Sequence, residues 1–167
     1  MCYNPRQPRP AASAMKVAIV YPNLDGTVPS LDMGVAYLAT YLKERTGHQV
    51  RIIDPTFRRR DWRSYIEGEI RRFQPDAVGI SVVSLYFDYA REIARRIKRI
   101  RPVPMIVGGF QAMMAPEETM RVPEFDALCI GDGEVALAEW LQALEGKRDL
   151  SGVRGSWYRR GGEIVRN

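Results

Sequence analysis

Residues 75–84 read Pro75-Asp76-Ala77-Val78-Gly79-Ile80-Ser81-Val82-Val83-Ser84, and this stretch decides the fold. Ala77 to Val83 is small, β-branched and apolar on both faces, with no polar alternation. That is the composition of a central parallel strand covered by helices on either side. Pro75 ends the preceding helix, because its ring disfavours helical backbone one residue earlier, and Asp76 begins the strand. Gly79 and Ser81 are the odd members, and two readings fit them. Either Gly79 leaves room for a ligand to approach the backbone and Ser81 offers it a hydroxyl, or Gly79 packs against a helix and Ser81 bonds locally.

Toward the N-terminus, Gln49 to Asp54 reads as a strand and Trp62, Tyr65, Ile66, Ile70 and Phe73 recur at helical spacing. Lys16 to Tyr21 is the first strand, stopped by Pro22, and Asn23 to Ser30 is a loop by composition. A helix is expected from Leu31 to Arg45, with Ser30 as N-cap candidate. Val35, Leu38, Tyr41 and Leu42 form its apolar stripe and Gly47 ends it. Met1 to Ala14 carries Pro5, Pro8 and Pro10 with Arg6 and Arg9 and has no apolar core, so a disordered lead-in is expected rather than a signal peptide.

Toward the C-terminus, Tyr89, Ile93, Ile97 and Ile100 mark a third helix, with Arg91, Arg95, Arg96, Lys98 and Arg99 mostly on its other face. Met105 to Val107 is a fourth strand running into Gly108-Gly109, and Pro116 to Val122 is a short helix. Ala127 to Ile130 is a fifth strand running into Gly131-Asp132-Gly133-Glu134, and Leu137, Trp140, Leu141 and Leu144 mark a last helix. Ser156-Trp157-Tyr158 and Glu163-Ile164-Val165 flank Gly161-Gly162, a hairpin signal.

Strand and helix alternate five times, which argues an α/β fold: a flavodoxin-like, Rossmann-like five-stranded parallel sheet of order 2-1-3-4-5 with a C-terminal hairpin. Such sheets bind ligands beyond the C-terminal strand ends, near the switch point between strands one and three. Four segments meet there: Pro22–Ser30, Ser81–Tyr86, Gly108–Ala112 and Gly131–Glu134. Glycine directly after a strand lets a bulky ligand touch the backbone, although it is also a common turn residue. Glu134 suits the start of the last helix, where the dipole favours a carboxylate.

Several chemistries are excluded. There is no GxGxxG, because Gly131-Asp132-Gly133 continues with Glu134-Val135-Ala136, and there is no GxxxxGK[ST]. Tyr21-Pro22 and Gly131-Asp132 stand where a phosphoacceptor receiver would carry an acidic pair and a lysine. The single histidine, His48, reads as a turn residue, and no Cys/His cluster exists to hold a metal. The chain has 167 residues, 46% hydrophobic and 27% charged, which fits one soluble domain. No apolar run approaches the length of a membrane span. The net charge of +5 lies largely on helix arginines, so solvated surface explains it and nucleic acid is not expected. Cys2 and Cys129 form no CxxC pair, which points to a reducing, cytoplasmic setting.

From Lys16 to Asn167 the sequence resembles the cobalamin-binding domain found at the N-terminus of cobalamin-dependent radical SAM enzymes. The resemblance is carried by Lys16–Pro22, Gly34-Val35-Ala36-Tyr37-Leu38-Ala39, Gly47-His48-Gln49-Val50 with Asp54, Pro75–Ser81, Gly108-Gly109, Pro116-Glu117-Glu118, Asp126-Ala127-Leu128 and Gly131–Glu134. It implies a corrin ring on the C-terminal rim and a nucleotide arm entering the sheet region. Ser81 occupies the position of a strand-three serine that meets the arm's base, and Gly108 and Gly109 match the glycines lining the arm's channel. The cofactor-binding residues so implied are Tyr21, Pro22 and Asn23; Gly34; Ser81, Val82, Val83 and Ser84; Gly108, Gly109, Phe110 and Gln111; and Gly131, Asp132, Gly133 and Glu134.

The DxHxxG motif that supplies an axial histidine in some cobalamin domains is absent, so cobalamin is expected base-off with no protein histidine on cobalt. Relatives often carry Glu where Asp132 stands and His where Gln111 stands. The CxxxCxxC cluster motif of radical SAM enzymes is also absent. S-adenosylmethionine and the [4Fe–4S] cluster are therefore expected in a missing downstream domain, and these residues alone are not expected to be catalytic. The implied division is a lead-in at 1–14, a cobalamin-binding domain at 15–150 and a hairpin or linker at 151–167. Two rival readings stand beside this. One is a flavodoxin-like interaction domain without cofactor, its rim plugged by Tyr21, Tyr86 and Phe110. The other is an RNA-binding domain using the Arg-rich helix.

Overall fold

In a computed structural model, residues 14–24 and 32–167 are described. Their elements in chain order are β1 (Lys16–Val20), α1 (Met33–Thr46), β2 (Gln49–Ile53), α2 (Trp62–Phe73), β3 (Ala77–Ser81), α3 (Phe87–Ile100) and β4 (Met105–Gly108). After these come α4 (Phe110–Met114), α5 (Pro116–Met120), β5 (Ala127–Cys129), α6 (Gly133–Leu144), β6 (Ser156–Arg160) and β7 (Glu163–Arg166). The expected lead-in over residues 1–13 and the Ser30 cap lie outside the described residues.

The seven strands form one sheet of order β2-β1-β3-β4-β5-β6-β7. The first five are parallel, in the 2-1-3-4-5 order read from the sequence, and β6 and β7 are antiparallel. The hairpin is therefore not an appendage. Ala127 pairs with Tyr158 and Cys129 with Ser156, extending the parallel core by two strands. Trp157 and Tyr158 are both buried, one on each face of the sheet. Arg159 fastens this edge by donating to the carbonyl oxygens of Phe125 (2.9 Å), Val122 (3.1 Å) and Met120.

Two cores cover the two faces. One packs α2, α3, α4 and α5 against Ala18, Val20, Val78, Ile80, Val107 and Leu128. The other packs α1 and α6 against Val17, Ile19, Ala77, Ile106, Ala127 and Cys129. Successive strand residues alternate between these faces, as a two-residue period requires. Gly79 and Ser81 thus share the α1/α6 face with Ile19, Gly108 and Cys129.

Several element ends differ from expectation. The N-cap of α1 is Asp32, whose Oδ1 accepts from the Val35 N–H at 2.9 Å. Gly47 closes the helix in left-handed conformation, as expected. β3 ends at Ser81, two residues early, because a 3₁₀ turn at Ser84–Tyr86 leads straight into α3. α6 begins at Gly133, so Glu134 lies in its first turn. α4 was not visible in the sequence: its five residues are too few to show a period, and only Gln111 and Ala112 are buried.

Candidate functional site

A cleft opens on the α1/α6 face at the C-terminal rim. Its floor is made by Ile19 of β1, Gly79 and Ser81 of β3, Ile106 and Gly108 of β4 and Cys129 of β5. Its walls are Asp32, Gly34, Val35 and Leu38 from the start of α1, and Gly131, Asp132, Gly133, Glu134 and Leu137 from the turn into α6. The cleft measures about 240 Å³.

Glycines make the space. A Cβ on Gly79 would meet only Leu137 Cδ2 at 3.9 Å, and one on Gly108 would meet Cys129 Cβ at 3.9 Å. A Cβ on Gly133 would meet Leu38 Cδ1 at 3.8 Å. These are ordinary contacts, so side chains there would consume cleft rather than clash. Gly131, at φ +94°, makes the turn between β5 and α6 that only glycine takes readily. Ser81 is half-buried at the rim, with its hydroxyl unpartnered among the described residues. On the cleft floor, burial first, then Glu134 and Asp132, push the Cys129 thiol up to about 11, so it is a neutral, unreactive group at neutral pH.

Half of the expected site residues meet in this cleft: Gly34, Ser81, Gly108, Gly109, Gly131, Asp132, Gly133 and Glu134. Others sit on or behind the rim. Asn23 is buried in a polar chain behind the sheet, where its Nδ2 donates to Thr56 Oγ1 and its Oδ1 accepts from Tyr86 OH, each at 2.9 Å. Thr56 in turn bonds Asp54. Pro22 and Val82 are buried, and Gln111, 4% exposed, turns its amide toward Glu118 at 3.5 Å. Tyr21 is half-buried against the edge of Tyr86. Val83, Ser84 and Phe110 lie at the rim outside the cleft walls.

The sequence reading missed Asp32, Leu38, Cys129 and Leu137 as wall or floor residues. Two-residue alternation from Gly79 and Ser81 could have found Cys129, since equivalent positions on neighbouring strands share a face. The aromatic plug required by the cofactor-free rival is not in place. Tyr86 packs in the opposite core, Tyr21 leans on it, and Phe110 is 65% exposed. Nor is the basic face of α3 an open positive patch. Arg91 pairs with Asp88, Arg95 with Glu124, Arg96 with Glu67 and Glu92, Lys98 with Asp126 and Arg101 with Asp76. Among the described residues no helix is long and apolar enough to cross a membrane, and no cluster of metal-ligating side chains occurs.

A parallel sheet with a glycine-floored cleft beyond its switch point defines a ligand-carrying α/β module, open at the rim and closed by α1 and α6 behind. Residues 27–141 match the B12 binding domain family, and the chain belongs to it. It is 32% identical over 158 residues to an uncharacterised methyltransferase of Pyrococcus horikoshii, covering 90% of this chain and 34% of that protein. It is 25% identical over 151 residues to the cytidylyl-2-hydroxyethylphosphonate methyltransferase of Streptomyces wedmorensis, covering 79% of this chain and 28% of that one. The chain thus spans about a third of the length of these relatives. Among solved structures, the radical S-adenosylmethionine methyltransferase TsrM of Kitasatospora setae, with cobalamin and a [4Fe–4S] cluster bound, matches 92% of this chain and 30% of its own. The TM-score is 0.77 at 25% identity. The cobalamin-dependent enzyme OxsB has the same fold, with a TM-score of 0.80 at 24% identity over 93% of this chain and 22% of that one.

Proposed function

We propose that this chain holds cobalamin with its nucleotide arm in the α1/α6 cleft and its corrin ring across the C-terminal rim. The cleft carries the reading. Its glycine floor leaves room for an extended arm at the strand ends, and the walls leave its mouth open at the rim. Ser81 offers the arm a hydroxyl, and Gly108, Gly131 and Gly133 let it run against backbone. Bound there, the cofactor supplies the capacity to carry a methyl group, and this chain's residues place it and exclude water.

The cofactor is held base-off with no protein histidine on cobalt. His48 is the chain's only histidine and precedes β2, at the opposite end of the strands from the rim. A five-residue strand separates the two ends by roughly 16 Å, beyond the reach of a side chain. The start of α1 walls the cleft, whereas the hairpin completes the sheet.

The chain serves a radical SAM, methyltransferase-like enzyme whose S-adenosylmethionine and [4Fe–4S] cluster belong to a further domain. Exposed apolar side chains support a covering partner. Met33, Phe57, Leu85, Phe110, Met113, Met114 and Val135 all lie on segments that follow the C-terminal ends of the parallel strands. Hydroxocobalamin added to the chain and passed through gel filtration tests the reading. Coloured protein with a base-off visible spectrum is expected. Protein that elutes colourless at submillimolar cofactor overturns it.

A further inference from the structure

The cleft has an unusual charge pattern. The chain holds 25 Lys and Arg against 20 Asp and Glu, yet among the described residues no Lys, Arg or His lines the cleft. Asp32, Asp132 and Glu134 line it instead, and none of the three joins an ion pair among the described residues. Most other carboxylates of the described residues are paired with arginine or lysine. Phosphate sites show the reverse pattern, with cations or free helix N–H groups aimed at the ligand.

Asp32 is the most constrained of the three. Its Oδ1 is fixed by the Val35 N–H at 2.9 Å, while Oδ2 has no partner among the described residues. The start of α1 is therefore already answered by a carboxylate and offers little attraction to a second anion. Gly34 keeps the flank open, since a Cβ there would press on Asp32 Oδ1 at 3.1 Å. The second oxygen is not buried here, and a ligand that covered it without offering a donor would bind at a cost.

We propose that Asp32 selects the cofactor by its nucleotide arm, with its second carboxylate oxygen accepting a hydrogen bond from a sugar hydroxyl. This rests on the cobalamin reading above and adds a specificity residue to it. Asp32 is a binding and positioning residue and takes no part in bond making.

The test compares cobalamin with cobinamide, which keeps the corrin and lacks the nucleotide arm, in the full chain and in Asp32→Ser. Serine also caps helices, so the start of α1 is kept while the side chain becomes too short to reach the arm. Cobalamin should bind about tenfold more weakly to the variant, the loss of one charge-assisted hydrogen bond. Cobinamide affinity and the thermal midpoint should stay unchanged. Equal weakening of both ligands, or unchanged or tighter cobalamin binding, overturns the role of Asp32 and leaves the cobalamin reading standing. If the unmodified chain binds neither ligand, both fall.

Discussion

A Cβ on Gly109 would stand 2.7 Å from the carbonyl oxygen of Val82 and 2.8 Å from its amide nitrogen. The Val82 N–H donates to the Gly108 carbonyl at 2.9 Å, and the Gln111 N–H donates back to the Val82 carbonyl at 3.1 Å. The chain leaving β3 is thus locked against the chain leaving β4, and Gly109 itself sits at φ +90°. Gly109→Ala should cost about 2–4 kcal/mol, from left-handed backbone strain plus overpacking against atoms that cannot move. Thermal unfolding of the variant measures this. An unchanged midpoint would mean the two exits are not rigidly coupled.

Gly79 is the opposite case. Its Cβ position is clear to 3.9 Å, and its backbone is extended, so Gly79→Ala should leave stability within about 1 kcal/mol of the parent. The added methyl stands on the cleft floor, and a larger Gly79→Leu side chain would fill it. Expected is a folded protein by circular dichroism whose cobalamin binding weakens from Ala to Leu. Undiminished binding by Gly79→Leu would place the arm elsewhere.

His48 gives a pH signature. It is buried, and its Nδ1 accepts from the Met15 N–H at 3.2 Å, which puts its proton on an unpartnered Nε2. Burial holds its pKa below the usual 6.5, opposed by Glu145 and aided by Lys147. Above pH 6.5 both folded and unfolded chains carry neutral histidine. As pH falls below that value the unfolded chain takes up a proton first, so stability declines toward the lower folded pKa. Carboxylates held low by arginine, such as Glu67 and Glu92, contribute only in a separate window below about pH 4.5. Urea midpoints between pH 7 and pH 5 should fall for the parent and flatten for His48→Gln.

Arg159 ties the hairpin to the end of α5 and the loop before β5 through three carbonyl oxygens. Removing the guanidinium leaves those acceptors short of donors, so Arg159→Ala should lose about 2–3 kcal/mol. Amide hydrogen exchange should quicken in β6 and at Val122–Phe125 before it quickens in β1 or β3. Protection that falls uniformly would show that the clamp is not local.

Much of this architecture was legible because burial imposes a pattern on neighbours in sequence. Ala77–Ser81 is apolar on both faces because helices cover both faces, and Trp62, Ile66 and Ile70 recur at helical spacing because one side of α2 is covered. The absence of a rim histidine is also a sequence fact, since His48 stands alone. α4 escaped because five residues cannot display a period, and the true cap of α1 escaped because Ser30 and Asp32 are equally good caps by type.

The sequence by itself determined the five alternating units, their parallel order and three segments that reach the rim, Ser81–Tyr86, Gly108–Ala112 and Gly131–Glu134. It could not determine which side of the sheet each rim residue serves. Val82 and Gln111 are near Ser81 and Gly108 in the chain, yet they, like Asn23, are committed behind the sheet, while Asp32, Cys129 and Leu137 turn toward the cleft. That choice depends on which strands become neighbours and how their alternation lines up, and those pairings join residues tens of positions apart. The same holds for β6. Its local pattern announces a hairpin, and only pairing with β5 makes it part of the core sheet.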